Sequence, residues 1–389
     1  MRSVTTVLAV AITAIAVSIT AVDDVAAQSA AISELHSFRV VPVVTGLDHP
    51  WSLAFLPGGD MLVTERAGTL RIVRNGQLVP EPVQGVPAVR ARGQGGMLDV
   101  VLHPDFASNR LVYLSFSKPD ASGGRATTAV VRGRFENDRL TNVEEIFEAE
   151  AWSGGGNHFG SRLAFDGNGY LFITVGDRGA GPARGSLESH PAQDLSNHQG
   201  TVIRLHDDGR VPDDNPFVNR QGARPEIWSY GHRNLQGLAI HPETGDVWEN
   251  EHGPQGGDEL NLIRPGRNYG WPVIGMGVQY GGSDLHRSTA QSGMEQPVHY
   301  WVPSIATSGL MIYTGDAFPR WRGNIFVGGL AGQQMARLTL DGQRVTGEET
   351  LLRGQGRIRD IRQGPDGLVY IVYDAGNGST SIARLEPVE

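Results

Sequence analysis

The chain alternates short apolar runs with turns rich in proline, aspartate and glycine. In one representative stretch, Arg162–Phe165 is a short apolar strand, Asp166–Gly169 is a tight turn, and Tyr170–Val175 is a returning strand. Short runs of this kind, bounded by turn residues, are typical of β-hairpins. The stretch is therefore predicted to be one hairpin whose two open ends lie side by side.

The same strand–turn–strand pattern occurs six times along the chain. The copies span residues 51–66, 96–117, 161–177, 236–253, 308–329 and 358–374. They recur at intervals of roughly 45–75 residues, in or above the range of propeller blades, in which each repeat is one sheet of about four strands. The sequence thus predicts an all-β fold, a six-bladed β-propeller with four-stranded antiparallel blades.

Further strand-like runs supply outer strands and close the ring. Those between the copies are Leu70–Arg74, Thr128–Phe135, Thr201–Leu205 and Gln334–Leu340. Ser37–Val44 precedes the first copy and Ser381–Leu385 follows the last, so the two are expected to complete one blade together. Three irregular stretches are too long for tight turns and are expected to be ordered excursions over one face. They are Arg178–Gly200, Asp207–Gly222 and Gly253–Pro297.

Residues 1–27 resemble a secretory signal peptide. Arg2 is followed by a long apolar stretch, and Val25-Ala26-Ala27 offers small residues for cleavage before Gln28. The alternative is an N-terminal membrane anchor, although the stretch is rich in Ala, Thr and Val and marginal in length for a stable span. We expect residues 28–389 to form one domain that is periplasmic or secreted, with no membrane insertion of the mature chain.

The composition of the chain limits the kinds of partner and cross-link that can be expected. The 389 residues carry a net charge of −9 and contain no basic run, so nucleic acid is not an expected partner. There is no cysteine, so disulfides do not hold the exported fold together. Gly 52 and Pro 22 agree with many turns between short strands.

The propeller geometry predicts one working face. Residues just before each first strand and just after each second strand share a face near the axis. Here they are mostly arginine, histidine, glutamine and asparagine with a few carboxylates: Asp48, His49, Gln94, Asn157, His158, Arg233, Asn234, Thr307, Arg357 and Arg359 before first strands, and Glu65, Arg66, Lys118, Asp177, residues 251–254, Leu330, Ala331 and Asp374 after second strands. The opposite strand ends are turns with little chemistry, such as those containing His103 and His241.

Two features of this face suggest chemistry. The hairpin places His158 beside Asp177, and a carboxylate that holds an imidazole is an arrangement used in general-base catalysis. Several arginines around one pocket suit a multiply anionic ligand, because the guanidinium fork binds carboxylates at two points. The alternative is that the arginines only bridge blades. Trp271 and Trp301 either line a sugar site or pack as core residues.

Several motifs resemble the soluble quinoprotein sugar dehydrogenases. They are GQGGMLDVVLHPDF (93–106), NHFGSRLAF…GD (157–177), SYGHRNLQGLAIHP (229–242), EHGPQGGDELNLI (251–263), NYGWP (268–272) and GRIRD (356–360). This is the glucose/sorbosone dehydrogenase family, in particular its bacterial aldose sugar dehydrogenase branch, and the resemblance spans about 45 to 385. It implies a six-bladed propeller that holds pyrroloquinoline quinone (PQQ), a tricarboxylate, together with Ca²⁺, and that passes electrons from an aldose sugar to an external acceptor.

The resemblance also implies roles for single residues. His158 is the base that takes the proton from the anomeric hydroxyl, Asp177 orients it, and Arg233 stabilises charge on the quinone. The implied cofactor-binding residues are Gln94, Arg233, Asn234, Thr307, Arg357, Arg359 and Asp374. The carbonyls of Gly253 and Pro254 are the implied ligands of the cofactor's Ca²⁺, with Asp258 nearby, and Glu259 and the Tyr269 region resemble a second, structural Ca²⁺ site.

One departure and two alternative functions stand beside this hypothesis. The family often places a lysine against the cofactor at the end of the fifth blade's second strand, where this chain has Leu330-Ala331-Gly332. One alternative is a Ca²⁺-dependent propeller lactonase or hydrolase, which would gather Asp, Glu or Asn around an axial metal. The other is a non-catalytic carbohydrate-binding propeller.

Overall fold

Six antiparallel sheets form a ring in the computed structural model, which describes residues 31–374 and 380–388. The fold is the predicted six-bladed β-propeller. The predicted signal peptide, residues 1–27, lies outside the described residues. Within the described part of the chain, no helix has the length and apolar character that a bilayer-spanning helix requires.

We number the blades in chain order and give their strands from the axis outward. Blade 1 contains Pro50–Phe55, Met61–Glu65, Thr69–Arg74 and Gln77–Leu78. Blade 2 contains Met97–Leu102, Leu111–Pro119, Ala126–Glu136 and Arg139–Glu148. Blade 3 contains Gly160–Phe165, Leu171–Val175, Thr201–Leu205 and Ile227–Tyr230.

The remaining blades follow the same plan. Blade 4 contains Leu235–Ile240, Val247–Glu251, Asp258–Ile263 and His299–Trp301. Blade 5 contains Thr307–Ile312, Ile325–Gly329, Gln334–Asp341 and Arg344–Leu351. Blade 6 contains Ile358–Gln363, Val369–Tyr373, Thr380–Pro387, Ser37–Leu47 and the short Ala31–Ile32. The helices are short: Phe106–Asn109 is α-helical, and Leu187–Ser189, Pro191–Gln193 and Pro319–Trp321 are 3₁₀ turns.

Blade 6 joins the two ends of the described chain. Ser37–Leu47 pairs antiparallel with Thr380–Pro387, with Val40 opposite Leu385. The innermost strands contact one another in chain order, and Ile358–Gln363 of blade 6 contacts Pro50–Phe55 of blade 1. The predicted closure by the two terminal strands is confirmed, and it is made by backbone pairing.

Apolar side chains between neighbouring blades form the core. Between blades 1 and 2, for example, Leu62 and Ile72 pack with Val112 and Leu114, and all four are fully buried. Burying a side chain of this size contributes about 1.5–3 kcal/mol. The alternation of buried residues along each strand therefore binds each blade to the next and produces the ring.

A bulge occurs at the same place in every blade. The pairing of each innermost strand with its neighbour shifts register within its first few residues. The residues before three of these strands have left-handed backbones: His49 (φ 47°), His158 (φ 51°) and Ala306 (φ 54°). Bulges re-aim side chains at a strand end. This shared irregularity turns the residues at the start of the inner strands toward the axis.

The axis itself is filled by charges of opposite sign. Arg162 of blade 3 lies 3.0 Å from Asp360 of blade 6, and these blades face each other across the ring. Arg362 contacts Asp99 at 2.9 Å and Asp360 at 2.8 Å. Arg162, Asp99 and Asp360 are at most 2% exposed. We call these four residues the axial plug, because they close the channel below the working face.

One predicted excursion is partly wrong. Gly253–Pro297 was expected to be irregular, but Asp258–Ile263 inside it is the third strand of blade 4. The strand was not predicted because its polar residues Asp258, Glu259 and Asn261 interrupt the apolar pattern. Asp258 and Asn261 are nevertheless buried. The outermost strands of blades 1 to 5 were also not predicted. Those of blades 1, 3 and 4 have only two to four residues, and the longer Arg139–Glu148 and Arg344–Leu351 consist mostly of exposed or half-buried residues, so none of them shows a clear apolar pattern.

Candidate active site

The hairpin of blade 3 places a histidine against a carboxylate. Gly160 is paired with Val175, so the segment before the first strand lies beside the segment after the second. Nδ1 of His158 lies 2.6 Å from Oδ1 of Asp177. Because a carboxylate only accepts hydrogen bonds, Nδ1 carries a proton, and in the neutral imidazole Nε2 is then the nitrogen with the lone pair. The predicted neighbourhood of His158 and Asp177 is present in the structure.

Three donors hold the Asp177 carboxylate in place. Besides His158, the backbone N–H of Gly179 donates to Oδ1 at 2.8 Å, and the indole N–H of Trp271 donates to Oδ2 at 2.8 Å. Burial raises the pKa of Asp177, but the hydrogen bond and charge of His158, together with Arg233, outweigh it and leave this pKa below its usual value. Asp177 is therefore an ionised, immobile partner for His158.

The pair of His158 and Asp177, which we call the dyad, opens onto a cleft of about 190 Å³. Its lining includes His158, Asp177, Arg233, Pro254 and Trp271. The Arg233 guanidinium lies 5.1 Å from the centre of the Trp271 ring, and its Nε is buried without a hydrogen-bond partner. The cleft thus combines a base, a cation with a free donor, and an aromatic wall.

A second cavity of about 280 Å³ lies at the axis beside this cleft. Three arginines line it, Arg66, Arg357 and Arg359, against one lining carboxylate, Asp374. Arg359 donates to Asp374 at 3.2 Å, and burial lowers its pKa to about 10, so it stays charged at neutral pH. This axial cavity has the excess positive charge that a polyanionic ligand needs. A larger cavity of about 470 Å³ outside blade 3 contains none of the predicted site residues.

Gln94 and His252 connect the cleft and the axial cavity. Gln94 lines the axial cavity, and its Oε1 accepts the backbone N–H of His158 at 2.8 Å. His252 also lines the axial cavity, and its carbonyl accepts Nη1 of Arg233 at 3.0 Å. Burial and the charge of Arg233 lower the pKa of His252 to about 3, so its ring is neutral. His252 was given no role in the sequence analysis.

Asn234 and Thr307 lie behind the wall of the axial cavity. Asn234 is fully buried, and its Oδ1 accepts Nε2 of Gln236 at 3.2 Å. The carbonyl of Thr307 accepts Nε2 of His252 at 2.6 Å, while its hydroxyl is buried without a partner. Neither residue borders the two cavities, so in this structure both support residues that do.

In the segment where the family often has a lysine against the cofactor, this chain presents an apolar side chain to the axial cavity. Leu330 lines the axial cavity, whereas Ala331 is exposed. The carbonyl of Leu330 accepts Nη1 of Arg357 at 3.4 Å. The departure noted in the sequence therefore lies at the cavity, and within Leu330-Ala331-Gly332 the residue that borders it is Leu330 rather than Ala331.

The two carbonyls implied as ligands of a cofactor calcium lie beside Arg233. The Gly253 carbonyl accepts Nη1 of Arg233 at 2.7 Å, and Pro254 lines the cleft. This guanidinium uses one of the two acceptor positions of the Gly253 carbonyl and leaves the other. The implied role of Gly253 and Pro254 as Ca²⁺ ligands stays a prediction.

The remaining implied metal residue, Glu259, belongs to a buried acidic cluster in blade 4. Glu249 pairs with Asn261 and Glu251 with Glu259 across neighbouring strands. Nδ2 of Asn261 donates to all three carboxylates, at 3.4 Å to Glu249, 3.1 Å to Glu251 and 3.3 Å to Glu259. His232 bonds to Glu251 at 2.9 Å and stacks on Tyr269, with ring centres 4.5 Å apart.

This cluster has the properties of a site for a hard cation. Oε1 of Glu249 and Oδ1 of Asn261 are buried without hydrogen-bond partners. Burial, then the charge of Glu251, raises the pKa of Glu259 to about 8 and raises that of Glu249. Oxygen donors are those that Ca²⁺ prefers. Neither Glu249 nor Glu251 was predicted as a metal ligand, although their spacing of two in the strand Val247–Glu251 places both on one face.

Of the two candidate tryptophans, one reaches the site. Trp271 lines the cleft. Trp301 is 5% exposed, donates to Glu348 at 2.8 Å and packs edge-on against His299 at the outside of blade 4. His103 and His241 lie in the turns between hairpin strands, on the opposite face as expected.

Comparison with known proteins defines the class to which this fold and site correspond. The family model described as glucose/sorbosone dehydrogenase matches residues 47–384, so the chain belongs to this family of sugar dehydrogenases. The chain is 46% identical over 338 residues to the aldose sugar dehydrogenase YliI of Escherichia coli, covering 85% of this chain and 89% of that protein. It is 26% identical over 410 residues to quinoprotein glucose dehydrogenase B of Acinetobacter calcoaceticus, covering 86% and 85%.

Solved structures of aldose sugar dehydrogenases are also similar to this chain. The PQQ-bound form of an aldose sugar dehydrogenase from Streptomyces coelicolor superposes with a TM-score of 0.74 at 30% identity, covering 92% of this chain and 100% of that one. The apo-form of the soluble aldose sugar dehydrogenase from Escherichia coli gives a TM-score of 0.85 at 43% identity, covering 90% and 100%. The resemblance drawn from the sequence is confirmed, and the relatives support a sugar-oxidising oxidoreductase.

Proposed function

We propose that this protein is a PQQ-dependent aldose sugar dehydrogenase, which oxidises aldoses at the anomeric carbon to lactones with His158 as general base. One observation carries the proposal: the His158–Asp177 pair opens onto a cleft that adjoins an arginine-lined cavity. A dehydrogenase with an anionic cofactor needs both a general base and a polyanion site, and it needs them next to each other.

The hydrogen bond with Asp177 gives neutral His158 the tautomer that the reaction needs. Its Nδ1–H is engaged by Asp177, so the free Nε2 accepts the proton of the anomeric hydroxyl as the C1–H bond breaks. The charge of Asp177 then stabilises the imidazolium that forms. Because Asp177 is held by Gly179 and Trp271, it does not turn away when His158 becomes charged.

Arg233 is the cation that faces the reacting centre. The backbone N–H of Asp177 donates to the carbonyl of Arg233 at 2.7 Å, which ties this arginine to the dyad. Its buried, unpartnered Nε offers a further donor to an anionic oxygen. A fixed cation of this kind stabilises negative charge that develops during the reaction.

The axial cavity fits the cofactor. Arg66, Arg357 and Arg359 would hold the carboxylates of PQQ, and Gln94 would border it on the side of His158. When bound, PQQ supplies the redox chemistry by accepting the two electrons and the hydrogen from C1. Asn234 and Thr307 would contribute through His252 and Gln236, which they support.

The two proposed calcium sites fare differently. The cluster of Glu249, Glu251 and Glu259 fits Ca²⁺ because it offers unpartnered buried oxygens, and we propose a structural ion there, close to Tyr269. A cofactor calcium at Gly253 and Pro254 would share the Gly253 carbonyl with Arg233, and this site stays a prediction. No step of the reaction is routed through that ion.

The alternatives are less well supported. A propeller hydrolase needs free carboxylates or amides around an axial metal, but the axial carboxylates Asp99 and Asp360 are paired with Arg162 and Arg362. A purely carbohydrate-binding propeller leaves the His158–Asp177 dyad without a use. We also propose that the protein is periplasmic or secreted and that it passes electrons to an external acceptor. We propose no nucleic-acid partner.

Reconstitution tests the proposed function directly. Purified protein is incubated with PQQ and Ca²⁺, and reduction of an artificial dye is followed with glucose and with a reducing disaccharide. We expect dye reduction that requires PQQ and that His158→Ala abolishes while PQQ binding persists. Lactone cleavage without PQQ would support the hydrolase instead, and turnover by His158→Ala would remove this residue from its role.

A further inference from the structure

An exposed aromatic side chain stands at the mouth of the catalytic cleft. Among the described residues, five large hydrophobic side chains are exposed, and Tyr280, at 72% exposed, is the one that lines the cleft containing His158. An exposed aromatic ring in the cleft of a catalytic residue offers a face on which the apolar face of a sugar ring can stack. Tyr280 is therefore available to a ligand that enters the same cleft.

The turn that carries Tyr280 is built to hold a position. Gln255 and Val278 exchange backbone hydrogen bonds at 2.9 and 3.2 Å, and the side chain of Gln255 accepts the N–H of Gly281 at 3.3 Å. Gln279 closes the turn by donating to the carbonyl of Ser283 at 2.9 Å. Because Gln255 follows Pro254 of the cleft wall, Tyr280 is anchored to the site itself.

The opposite wall of the mouth is also tied down. It contributes Pro182 and Leu187, and on the Tyr280 side Leu285 completes an apolar rim. Next to these leucines, Arg287 and Glu188 form a two-point ion pair, with Nη2 and Oε2 3.1 Å apart. The pair joins the excursions Arg178–Gly200 and Gly253–Pro297 next to the cleft.

The chemistry of the cleft gives the direction in which a sugar chain extends. Oxidation requires the anomeric C1 hydroxyl at His158, whose side chain is 14% exposed, whereas Tyr280 of the same cleft is 72% exposed. In a reducing disaccharide the second ring is attached on the side of the first ring remote from C1. That second ring therefore extends toward the mouth, where an aromatic face can cover the apolar face of a pyranose.

We propose that Tyr280 forms a second sugar subsite, in which its ring stacks on the non-reducing pyranose of a reducing disaccharide such as maltose. This inference rests on the proposed function for its orientation, because it places C1 at His158. It makes Tyr280 a specificity-determining residue that discriminates disaccharides from monosaccharides.

Steady-state kinetics of the PQQ-loaded enzyme test the subsite. We expect Tyr280→Ala to raise KM for maltose roughly tenfold, as the loss of one stacked ring implies, while kcat and the KM for glucose stay within about twofold. Tyr280→Phe keeps the ring and should behave as wild type. Tyr300→Ala is the matched control, since Tyr300 is 49% exposed on the outer strand of blade 4 and lies outside the cleft.

A binding measurement separates this inference from the proposed function. Saturation-transfer difference NMR of maltose with the His158→Ala protein requires no turnover. We expect transfer to the protons of the non-reducing ring, and its loss when Tyr280→Ala is added. Equal transfer with and without Tyr280, or equal KM changes for glucose and maltose, would overturn the subsite. Absence of dye reduction with every sugar would overturn the proposed function and leave the NMR result to decide the subsite.

Discussion

Replacing Asp177 by asparagine is the sharpest perturbation of the proposed mechanism. The carboxylate accepts from three donors, on His158, Gly179 and Trp271. An asparagine has one acceptor oxygen, so its NH₂ group must face at least one of these N–H groups. The substitution thus removes the buried negative charge and sets a donor against a donor, with almost no change in side-chain volume.

The expected magnitude follows from the geometry. With heavy atoms 2.6 Å apart, the charge centres of imidazolium and carboxylate are separated by roughly 4 Å. At an effective dielectric constant of about 20 their attraction is about 4 kcal/mol. This stabilisation exists only once His158 holds the substrate proton, so its loss falls on the barrier. At about 1.36 kcal/mol per factor of ten, kcat should fall about a thousandfold.

The assay is PQQ-dependent dye reduction with glucose at saturating sugar. PQQ affinity should be unchanged, because Asp177 does not line the axial cavity. Asp166→Asn is the matched control: Asp166 lies in the turn at the far end of the same hairpin and accepts the N–H groups of Asn168 and Tyr170. A kcat for Asp177→Asn within tenfold of wild type would refute the role assigned to this pair.

Three further predictions concern the metal cluster, the axial cavity and the axial plug. Ca²⁺ at 100 times its Kd should stabilise the wild type by about 2.7 kcal/mol, which raises its Tm in differential scanning calorimetry, and Glu259→Gln should lose most of this stabilisation. An equal Ca²⁺ response in both proteins would place the ion elsewhere. Leu330→Lys should tighten PQQ binding in a fluorescence titration, because it adds a cation beside Arg357; weaker binding would show that this wall tolerates no longer side chain. Arg162→Met should lower the unfolding free energy in urea by about 3–5 kcal/mol, because it leaves Asp360 buried with one cation fewer; a change below about 1 kcal/mol would mean that the plug is structurally dispensable.

Much of the fold could be predicted because a propeller repeats its pattern. Each blade buries the same positions against the next, so the hairpins, the ring and the pairing of Ser37–Leu47 with Thr380–Pro387 follow from local periodicity. The Asp258–Ile263 strand escaped prediction because its polar residues serve the acidic cluster and interrupt the apolar pattern. Turns and strand ends carry short-range signals, whereas such a cluster depends on cross-strand register.

The site was predictable to the extent that backbone geometry determines it. His158 meets Asp177 because a hairpin brings its ends together, and the arginines converge because every inner strand begins alike. The neutral His252 and the Arg233–Gly253 contact could not be predicted, because they depend on which side-chain atoms meet across blades. Similarly, the sequence placed Asn234 on the working face but could not show that Gln236 and His252 cover it.

The pairing of the first and last strands has a consequence for how the molecule is made. During synthesis, blades 1 to 5 can assemble as an open arc, but blade 6 lacks Thr380–Pro387, the strand between Ser37–Leu47 and Val369–Tyr373, until residue 387 has emerged. Until then these two neighbouring strands each have an unpaired edge, which invites pairing with other chains. Loss of a few C-terminal residues should therefore damage the whole ring, and a chain with its new termini between two blades would complete every sheet before its last residue was added.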